Sequence, residues 1–494
     1  MLHFMEYKGI YTIAWLLVAV CFFVLEACNK DKTELPVATT GYPKEIHDII
    51  VTKCATAGCH NDKSKEAAAG LSLETWDRLF EGSRGGAVVI PYRADFSTLI
   101  YYTNSDSNLG AIQLLPTMPF NQPPLSSSEV QTLIDWVNNG APDENGFVKF
   151  SDAPERKNFY VGNQGCDVVT VFDAELFLAT RYIDVGTSAG IEAPHIVKVS
   201  ADNKFWYASY IAGSHFQKFS TIDNSLLSSI NIGEGSWNTF ALSDDNKSAF
   251  VVDWEADGRI AWIDLEKETV QYINGLTYPH GSALNQAATV LYLTSQSGNY
   301  VYKIDIANPA FISYEQIVLK PGQSPNNLPG TLDPHEVSLS GDESKYFVTC
   351  QASDEVRVMD TNTDTLIAII NVGNYPQEMS VSKTHPYLFV SCMEDVNDNP
   401  DERGSIAVID YNTYTLVKEI YAGYQSHGVA VDDENGRVYI TNRNVNPGGP
   451  APHHASVCGG RNGNVTAIDL TTLELIPEFK TEVSVDPYAL GIMH

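Results

Sequence analysis

The stretch Pro334-His335-Glu336-Val337 recurs in altered form at seven points in the second two-thirds of the chain. Each copy opens a short apolar strand, and a turn of Asp, Asn or Gly residues then leads to an aromatic or β-branched strand. The other openings, spaced 42 to 61 residues apart, begin at Pro194, Trp237, Pro279, Pro376, Ser426 and Pro487. A period near 42 with loop insertions predicts the four-stranded blade of a β-propeller, and seven openings predict seven blades.

The seventh opening leaves room for only one strand before the chain ends at His494. Its missing strands stand at the front of the region, at 158–163 and 168–173. We therefore predict that the C-terminal strand pairs with this N-terminal hairpin and closes the ring. The segments Phe159-Tyr160-Val161-Gly162-Asn163 and Val438-Tyr439-Ile440-Thr441-Asn442 are similar to the strand that names the YVTN-type propeller family. That resemblance implies the fold and leaves the function open, because propellers serve many functions.

Nearer the N-terminus, Cys54-Ala55-Thr56-Ala57-Gly58-Cys59-His60 places two thiols just ahead of a histidine. This order is typical of c-type haem attachment, in which the cysteines form thioethers and the histidine is the proximal iron ligand. The usual spacing has two residues between the cysteines, whereas this chain has four. A thioether is a common sixth ligand, and Met118 is the only methionine between residues 29 and 150.

The flanking pattern predicts a helix over 44–53 and a stiff loop at Leu115-Pro116-Thr117-Met118-Pro119. A capping box, Ser126-Ser127-Ser128-Glu129, then opens a helix that Gly140 ends. These elements in this order resemble a small class I cytochrome c over residues 45–143. The resemblance implies an all-α domain with one covalent haem c, held by Cys54, Cys59, His60 and Met118.

A structural zinc site or a disulfide is the alternative interpretation of the same cysteines. Zinc would use Cys54, Cys59 and His60, but a closed zinc site needs a fourth protein ligand. His47 is the only other nearby cysteine or histidine, and it reads as a surface residue of the first helix. A disulfide between the two cysteines would suit an oxidising compartment.

Residues 1–28 have the pattern of an export signal, with an apolar run over 10–25. The run ends in Leu25-Glu26-Ala27-Cys28, which resembles the lipobox of bacterial lipoproteins. Cys28 would then be acylated and would anchor the mature chain to the membrane through a tether at 29–44. We expect an exported, periplasmic or cell-surface lipoprotein. An uncleaved anchor helix is the alternative, although the apolar run is short for one.

The formal net charge is −30 at pH 7, with 61 acidic and 31 basic residues. This charge argues against nucleic acid as a direct partner and would suit a basic redox partner protein. A generally acidic exported surface is the simpler interpretation of most of these carboxylates. A charged segment at 144–157 is expected to link the two domains.

The second residue of each opening is equivalent from blade to blade, so these residues should ring one mouth of the central channel. They are His195, Asn238, His280, His335, Gln377, His427 and Tyr488. If Ser340 pairs with Lys345 across its hairpin, and the other hairpins pair in the same way, counting along the strands predicts the residue opposite several ring residues. The predicted pairs are His335 with Cys350, Gln377 with Cys392, His195 with Tyr210, and Asn238 with Asp253.

Imidazole, thiolate and carboxylate groups that converge in this way suit a transition metal at the hub, held by His195, His280, His335 and His427. The histidine ring resembles that of nitrous-oxide reductase, although the copper-cysteine domain of that enzyme is missing here. A cytochrome c ahead of a propeller resembles the two-haem nitrite reductases, whose propeller has eight blades. Polar hub residues that simply bind ordered water are the alternative.

A Gly- and Pro-rich insertion at 446–463 carries His453, His454 and Cys458. These residues are candidates to cap the hub or to face the haem, and a loop without a ligand role is the alternative. Cys166 is a candidate disulfide partner of Cys458, although sequence alone does not fix the pairing.

The sequence therefore predicts a multi-domain chain, a small all-α cytochrome c domain at 45–143 followed by an all-β seven-bladed propeller at 158–494. The expected function is electron transfer by an exported haem c lipoprotein whose propeller docks a partner or substrate. One alternative is a periplasmic redox enzyme, with a hub metal that the haem feeds. The other is a surface-binding propeller protein in which the haem is accessory.

Overall fold

The structure, a computed structural model, describes residues 39–151, 156–396, 403–444 and 463–494. The predicted export signal, the predicted lipobox residue Cys28 and most of the predicted tether lie outside these residues, as does most of the insertion at 446–463. Across the described part of the chain, no helix combines the length and hydropathy needed to cross a membrane.

The region ahead of the propeller contains four α-helices in its described part. They are α1 (Lys44–Lys53), α2 (Trp76–Leu79), α3 (Thr98–Thr103) and α4 (Ser127–Asn138). The bounds of α1 match the prediction, and the capping box of Ser126 and Glu129 at the start of α4 is confirmed. Only α1 and α4 exceed six residues, so the helical content does not by itself identify a cytochrome c fold.

The rest of the described chain is a β-propeller of seven four-stranded antiparallel sheets, which confirms the predicted fold. Blade 1 contains β1 (Asn158–Asn163), β2 (Val168–Asp173), β3 (Leu178–Asp184) and the last strand, β28 (Pro487–Ile492). Blade 2 contains β4 (Pro194–Val199), β5 (Phe205–Tyr210), β6 (His215–Ser220) and β7 (Leu226–Asn231). Blade 3 contains β8 (Trp237–Leu242), β9 (Ser248–Asp253), β10 (Gly258–Asp264) and β11 (Thr269–Leu276).

The remaining four blades follow the same order, with the first strand innermost. Blade 4 contains β12 (Pro279–Leu284), β13 (Val290–Ser295), β14 (Tyr300–Asp305) and β15 (Ser313–Val318). Blade 5 contains β16 (Pro334–Leu339), β17 (Lys345–Cys350), β18 (Glu355–Asp360) and β19 (Leu366–Asn371). Blade 6 contains β20 (Pro376–Val381), β21 (Tyr387–Cys392), β22 (Ser405–Asp410) and β23 (Thr415–Ile420). Blade 7 contains β24 (Tyr424–Asp432), β25 (Arg437–Asn444), β26 (Gly463–Asp469) and β27 (Leu475–Val483).

The ring is closed in blade 1, where β28 pairs with β1 so that both ends of the propeller share one sheet. Aromatic stacking joins blade 1 to blade 7 across the same seam. The ring of Phe159 stacks on Phe172 at 4.6 Å and on Tyr439 at 4.2 Å between centroids. The radial repetition of seven separate sheets leaves only short, protected strand edges near the axis.

The predicted hairpin register is wrong by one residue at the channel mouth. Cys350 faces Pro334 rather than His335, and the pairing resumes at Val337 opposite Val348. The same irregularity places Pro376 opposite Cys392, Pro194 opposite Tyr210 and Trp237 opposite Asp253. A β-bulge inserts an extra residue on the inner strand, which a simple two-residue period does not detect. Cys350 and Cys392 therefore lie in the buried core rather than opposite the ring residues.

Inner strands of neighbouring blades approach one another closely near the axis. A Cβ on Gly281 would lie 2.5 Å from the His335 carbonyl oxygen, and one on Gly428 would lie 2.4 Å from the Tyr488 carbonyl oxygen. Such spacing excludes any side chain at these positions, because real Cβ contacts are longer. The narrow axis brings the side chains of the openings together.

The helical region packs directly on blades 1 and 7. Ile90 and Phe96 share a buried cluster with propeller residues, and Phe96 stacks on Tyr182 at 4.3 Å. The Arg93 guanidinium bonds the Asp184 carboxylate at 2.8 Å. The helical region thus has a core of its own, and Ala87, Ile90 and Phe96 join it to a core cluster of the propeller. Motion of one region about the other would expose these three buried side chains.

Candidate functional site

The predicted haem-attachment segment forms a tight loop at the end of α1. The His60 amide donates to the Cys54 carbonyl at 3.1 Å, and the Cys59 amide donates to the Thr56 carbonyl at 3.0 Å. Asn61, which is 7% exposed, donates through its side chain to Thr56 and accepts from two later amides. Asn61 thus holds both ends of this loop, a role that nothing in the sequence motif indicates.

Met118 is brought to the same place by hydrogen bonds between its loop and α3. The Met118 amide donates to the Tyr102 carbonyl at 2.7 Å, and the Leu114 amide donates to the Tyr101 carbonyl at 2.9 Å. The Leu115–Pro116 and Met118–Pro119 bonds are both cis. The four predicted ligands thus lie on two segments that α1 and α3 hold in place.

One cavity of about 730 Å³ is bordered by Cys54, Cys59, His60 and Met118 together. This volume lies within the range of sites for small molecules and cofactors. Its wall is mostly apolar, including Ala67, Ala68, Ala69, Leu71, Leu73, Val88, Leu99, Pro116, Pro119 and Phe120. The structure therefore brings together all four residues that the sequence proposes for haem.

The propeller also contributes to this cavity, which the sequence analysis did not foresee. Glu482 of β27 borders it, beside the turn that contains Ser83 and Gly85. That turn packs against β27 so closely that a Cβ on Gly86 would lie 2.5 Å from Thr481. The rim of the cavity is thus shared between the two regions.

The protonation of the site follows from its burial. Burial raises the pKa of the Cys54 thiol to about 11, and the neighbouring Cys59 adds to the rise. Burial lowers the pKa of His60, and the nearby Leu71 backbone partly opposes this shift. The Nδ1 atom of His60 is itself buried without a hydrogen-bond partner. At neutral pH the site therefore presents a neutral imidazole, the form that binds a metal.

Neither alternative for Cys54 and Cys59, a disulfide or a zinc site, is supported by the described residues. Cys54 and Cys59 are both free thiols, so they form no disulfide with each other. Among the described residues, no three His, Cys, Asp or Glu side chains are grouped as a metal site. His47 is half-buried on α1 and does not border the cavity.

The four predicted hub histidines also meet, at the axis of the propeller. Ring centroids are 6.3 Å apart for His195 and His280, 4.0 Å for His280 and His335, and 6.5 Å for His335 and His427. All four are buried, and His427 stacks over Tyr488 at 3.5 Å. Burial lowers the pKa of His280 to about 4 and those of His335 and His427 well below the usual value.

Several polar atoms of this ring have no hydrogen-bond partner in the described structure. They are Nδ1 of His335, both ring nitrogens of His427 and the side-chain amide nitrogen of Asn238. By contrast, His280 Nδ1 lies 3.1 Å from the His335 carbonyl oxygen and can donate to it. Buried unpartnered polar atoms in a native protein usually mark bound water or an ion.

A second cavity, of about 560 Å³, lies further along the same channel. Its wall carries the charged side chains of Lys198, Asp244, Glu336, Glu378 and Lys383, of which Asp244 and Lys383 are exposed. None of the five could be recognised as a lining residue from the sequence. The two cavities share no lining residue.

The insertion residues His453, His454 and Cys458 lie outside the described residues. Cys166 is disulfide-bonded, whereas Cys350 and Cys392 are free and fully buried. Burial raises the pKa of both of these free thiols well above the ordinary value. They are therefore core residues without thiolate character.

No family model matches the chain. Antigen Lp49 of Leptospira interrogans serogroup Icterohaemorrhagiae serovar copenhageni (strain Fiocruz L1-130) is 23% identical over 299 residues. That match covers 54% of this chain, and the chain spans 61% of the length of that protein. A functionally unknown protein from Desulfotomaculum acetoxidans DSM 771 has a solved structure that superposes with a TM-score of 0.53 at 12% identity. It matches 68% of this chain over 99% of its own length, a likeness that shows the fold alone.

Proposed function

We propose that residues 45–143 bind one haem c and that the protein transfers electrons. The observation that carries this proposal is the convergence of Cys54, Cys59, His60 and Met118 on one apolar cavity. Met118 is far from the cysteines in sequence, so a shared cavity is not a consequence of the motif itself. Thiols, imidazole and thioether are the groups that attach and ligate a haem, and a bound haem supplies one-electron chemistry.

Each residue has a role that its surroundings support. Cys54 and Cys59 would hold the cofactor through thioethers, and His60 and Met118 would bind its iron. Asn61 keeps the attachment loop in shape through its hydrogen bonds. The apolar wall excludes water, which together with a thioether ligand favours a high reduction potential.

The compartment and the partners complete the proposal. Covalent haem attachment fits export and a lipid anchor at Cys28, so the protein would act as a periplasmic or cell-surface lipoprotein. The net charge of −30 suits a basic redox partner and not a nucleic acid. The propeller, which is packed against the helical region, would dock that partner or a substrate.

The deciding experiment is an absorption spectrum with total metal analysis on protein made in a host that matures c-type cytochromes. We expect one iron per chain and a haem that stays attached after denaturation. The double variant Cys54→Ala/Cys59→Ala should lose the covalent haem completely. The matched variant Cys350→Ala/Cys392→Ala, which removes the two free thiols of the propeller core, should keep it. A folded wild-type protein without covalent haem would overturn the proposal.

A second candidate function is a redox enzyme with a metal at the hub, fed by the haem. The unpartnered nitrogens of His335 and His427 favour it. Against it, the described residues contain no group of three ligands arranged as a metal site. The same metal analysis tests this candidate, because a second metal that disappears in His335→Ala would establish it.

A third candidate is a surface-binding propeller with an accessory haem. The relative at 23% identity is named an antigen, which fits exposure at a cell surface. This candidate predicts that soluble electron donors reduce the haem of the wild-type protein only slowly. Stopped-flow reduction of the protein by a small donor distinguishes it from an electron carrier.

A further inference from the structure

The channel cavity of the propeller is a built site that the electron-transfer proposal does not use. Its volume is about 560 Å³, and residues of all seven inner strands border it. This volume is in the range of pockets that hold small molecules. The wall also carries apolar groups, namely Ala241, Leu284, Met379, Val429 and Leu490.

Three of the five charged side chains of this wall are buried or half-buried, and they lie on opposite sides of the cavity. Glu336 lies on β16 and Glu378 on the neighbouring strand β20, whereas Lys198 lies on β4. Strand β4 belongs to blade 2, whereas β16 and β20 belong to blades 5 and 6. In a ring of seven blades, blades 5 and 6 are the two that lie opposite blade 2. The lysine and the glutamate pair therefore come from opposite sides of the ring of inner strands.

These opposite charges face one another without touching. No ion pair within 4.0 Å joins Lys198 to either glutamate, all three of which are described residues. Lys198 Nζ lies 5.6 Å from the ring centroid of Phe240. Glu336 is 8% exposed and accepts from the Val337 amide at 3.1 Å.

Buried charges of this kind are costly unless something pairs with them. Burial raises the pKa of Glu378 to about 7 and that of Glu336 well above its ordinary value, with the other carboxylate adding to the second shift. Burial lowers the pKa of Lys198, which the two glutamates oppose. The gap between the charges leaves room for a molecule that carries a positive group at one end and a negative group at the other.

We propose that the channel cavity binds a small zwitterion of the amino-acid class, with its ammonium against Glu336 and Glu378 and its carboxylate toward Lys198. The apolar groups of the wall would receive its side chain. Charge-assisted hydrogen bonds at both ends would select a zwitterion over a simple amine or a simple acid. This binding site is separate from the haem cavity and does not depend on it.

The test is binding of single free L-amino acids and of diglycine to the full-length protein. A thermal-shift screen is followed by titration calorimetry of each compound that raises the melting temperature. For each compound that binds, the amine and the carboxylic acid with the same side chain are the matched probes. We expect both probes to bind about tenfold more weakly, or worse, than the zwitterion.

Two variants locate the site. Lys198→Met should weaken binding of the zwitterion about tenfold and leave binding of the matched amine unchanged. The control, Lys218→Met, removes a lysine of the same blade that lies over Phe205 outside the cavity. If no compound of the panel binds, or if the amine binds as well as the zwitterion, the proposal is wrong. The probe series with wild-type protein decides the question even if a variant does not fold.

Discussion

The cavity of the helical region and the channel cavity of the propeller are formed in different ways. The helical region forms its cavity from loops held by short helices, and the wall is mostly apolar, with Lys53 and Glu482 as its charged lining residues. The propeller forms its cavity from seven equivalent strands, and the wall carries five charged side chains. The first is visible as a local motif, whereas the second arises only when distant strands are brought round one axis.

This difference has an energetic side. Sulfur and aliphatic groups cost little to bury, so most of the wall of the first cavity needs no compensating partner, whereas the unpartnered Nδ1 of His60 does. The charged side chains of the channel are destabilising when they are buried, and their shifted pKa values report that cost. Mutations in the first cavity should therefore change the properties of the molecule bound there. Mutations in the second should change how the stability of the protein depends on pH.

The largest expected effect concerns Met118. Met118→Leu keeps the volume of the side chain but removes the thioether that would bind the iron. We expect the reduction potential to fall by about 100 mV, or about 2 kcal/mol for one electron, because axial ligands set the potential. Spectroelectrochemical titration of the haem-loaded protein measures the change.

Met359→Leu is the matched control for that change. Met359 is fully buried in the propeller core, away from the cavity, so its substitution should leave the potential unchanged. An unaltered potential in Met118→Leu would show that Met118 is a wall residue and not a ligand.

The next effect, about 1–2 kcal/mol, concerns the pH dependence of stability through Glu378. Its pKa is raised to about 7, mainly by burial and against the effect of Lys198. The folded protein thus keeps a proton that the unfolded chain releases between the ordinary pKa and about 7. The free energy of unfolding therefore falls as the pH rises through this window. Glu378→Gln should be more stable than wild type at pH 8 and equal to it at pH 4, as measured by urea unfolding.

Asp342→Asn is a comparison with the opposite sign. Hydrogen bonds from Ser340 and Ser344 lower the pKa of Asp342 to about 2, so its ionised form stabilises the fold. This variant should lose stability at pH 8 and lose none at low pH, where the carboxyl group of the wild type is itself protonated. If Glu378→Gln behaved in the same way, Glu378 would be paired and not desolvated.

Much of the fold could be predicted because the propeller repeats itself. The opening that begins at Pro334 marks the inner strand of its blade, and the aspartates that follow the third strands close tight turns. Asp360, for example, accepts from the amides of Asn362 and Thr363 at 2.9 Å. The bulge after each opening could not be predicted, because a single inserted residue leaves no trace in a two-residue period.

The residues of the two candidate sites could be predicted less completely than the fold. The Cys/Cys/His pattern predicted Cys54, Cys59 and His60 as a site, and the single methionine of the region predicted Met118; all four border one cavity. Glu482 was missed because only the packing of β27 against the helical region brings it to the cavity. Lys198 and Glu378 were missed for a similar reason, since nothing in either strand shows which side chain faces the axis until the bulge is known.

The smallest effect tests whether the helical region is held by its local signals. In the capping box, the Ser126 hydroxyl accepts from the Glu129 amide, and the Glu129 carboxylate accepts from the Ser126 amide at 3.0 Å. Glu129 also pairs with Lys53 at the end of α1, next to the attachment loop. Ser126→Ala should lower the free energy of unfolding by about 1 kcal/mol.

Thr132→Ala is the control on the same helix. Thr132 is half-buried, and its hydroxyl donates only to the Ser128 carbonyl of the preceding turn. Its loss should change stability by less than about 0.5 kcal/mol, since alanine is the better helix former. Urea unfolding followed through the haem absorbance reports on the helical region, and tryptophan fluorescence reports mainly on the propeller. Because the two regions share a buried core around Phe96, both signals should shift together. A shift confined to the haem signal would show that the helical region unfolds on its own.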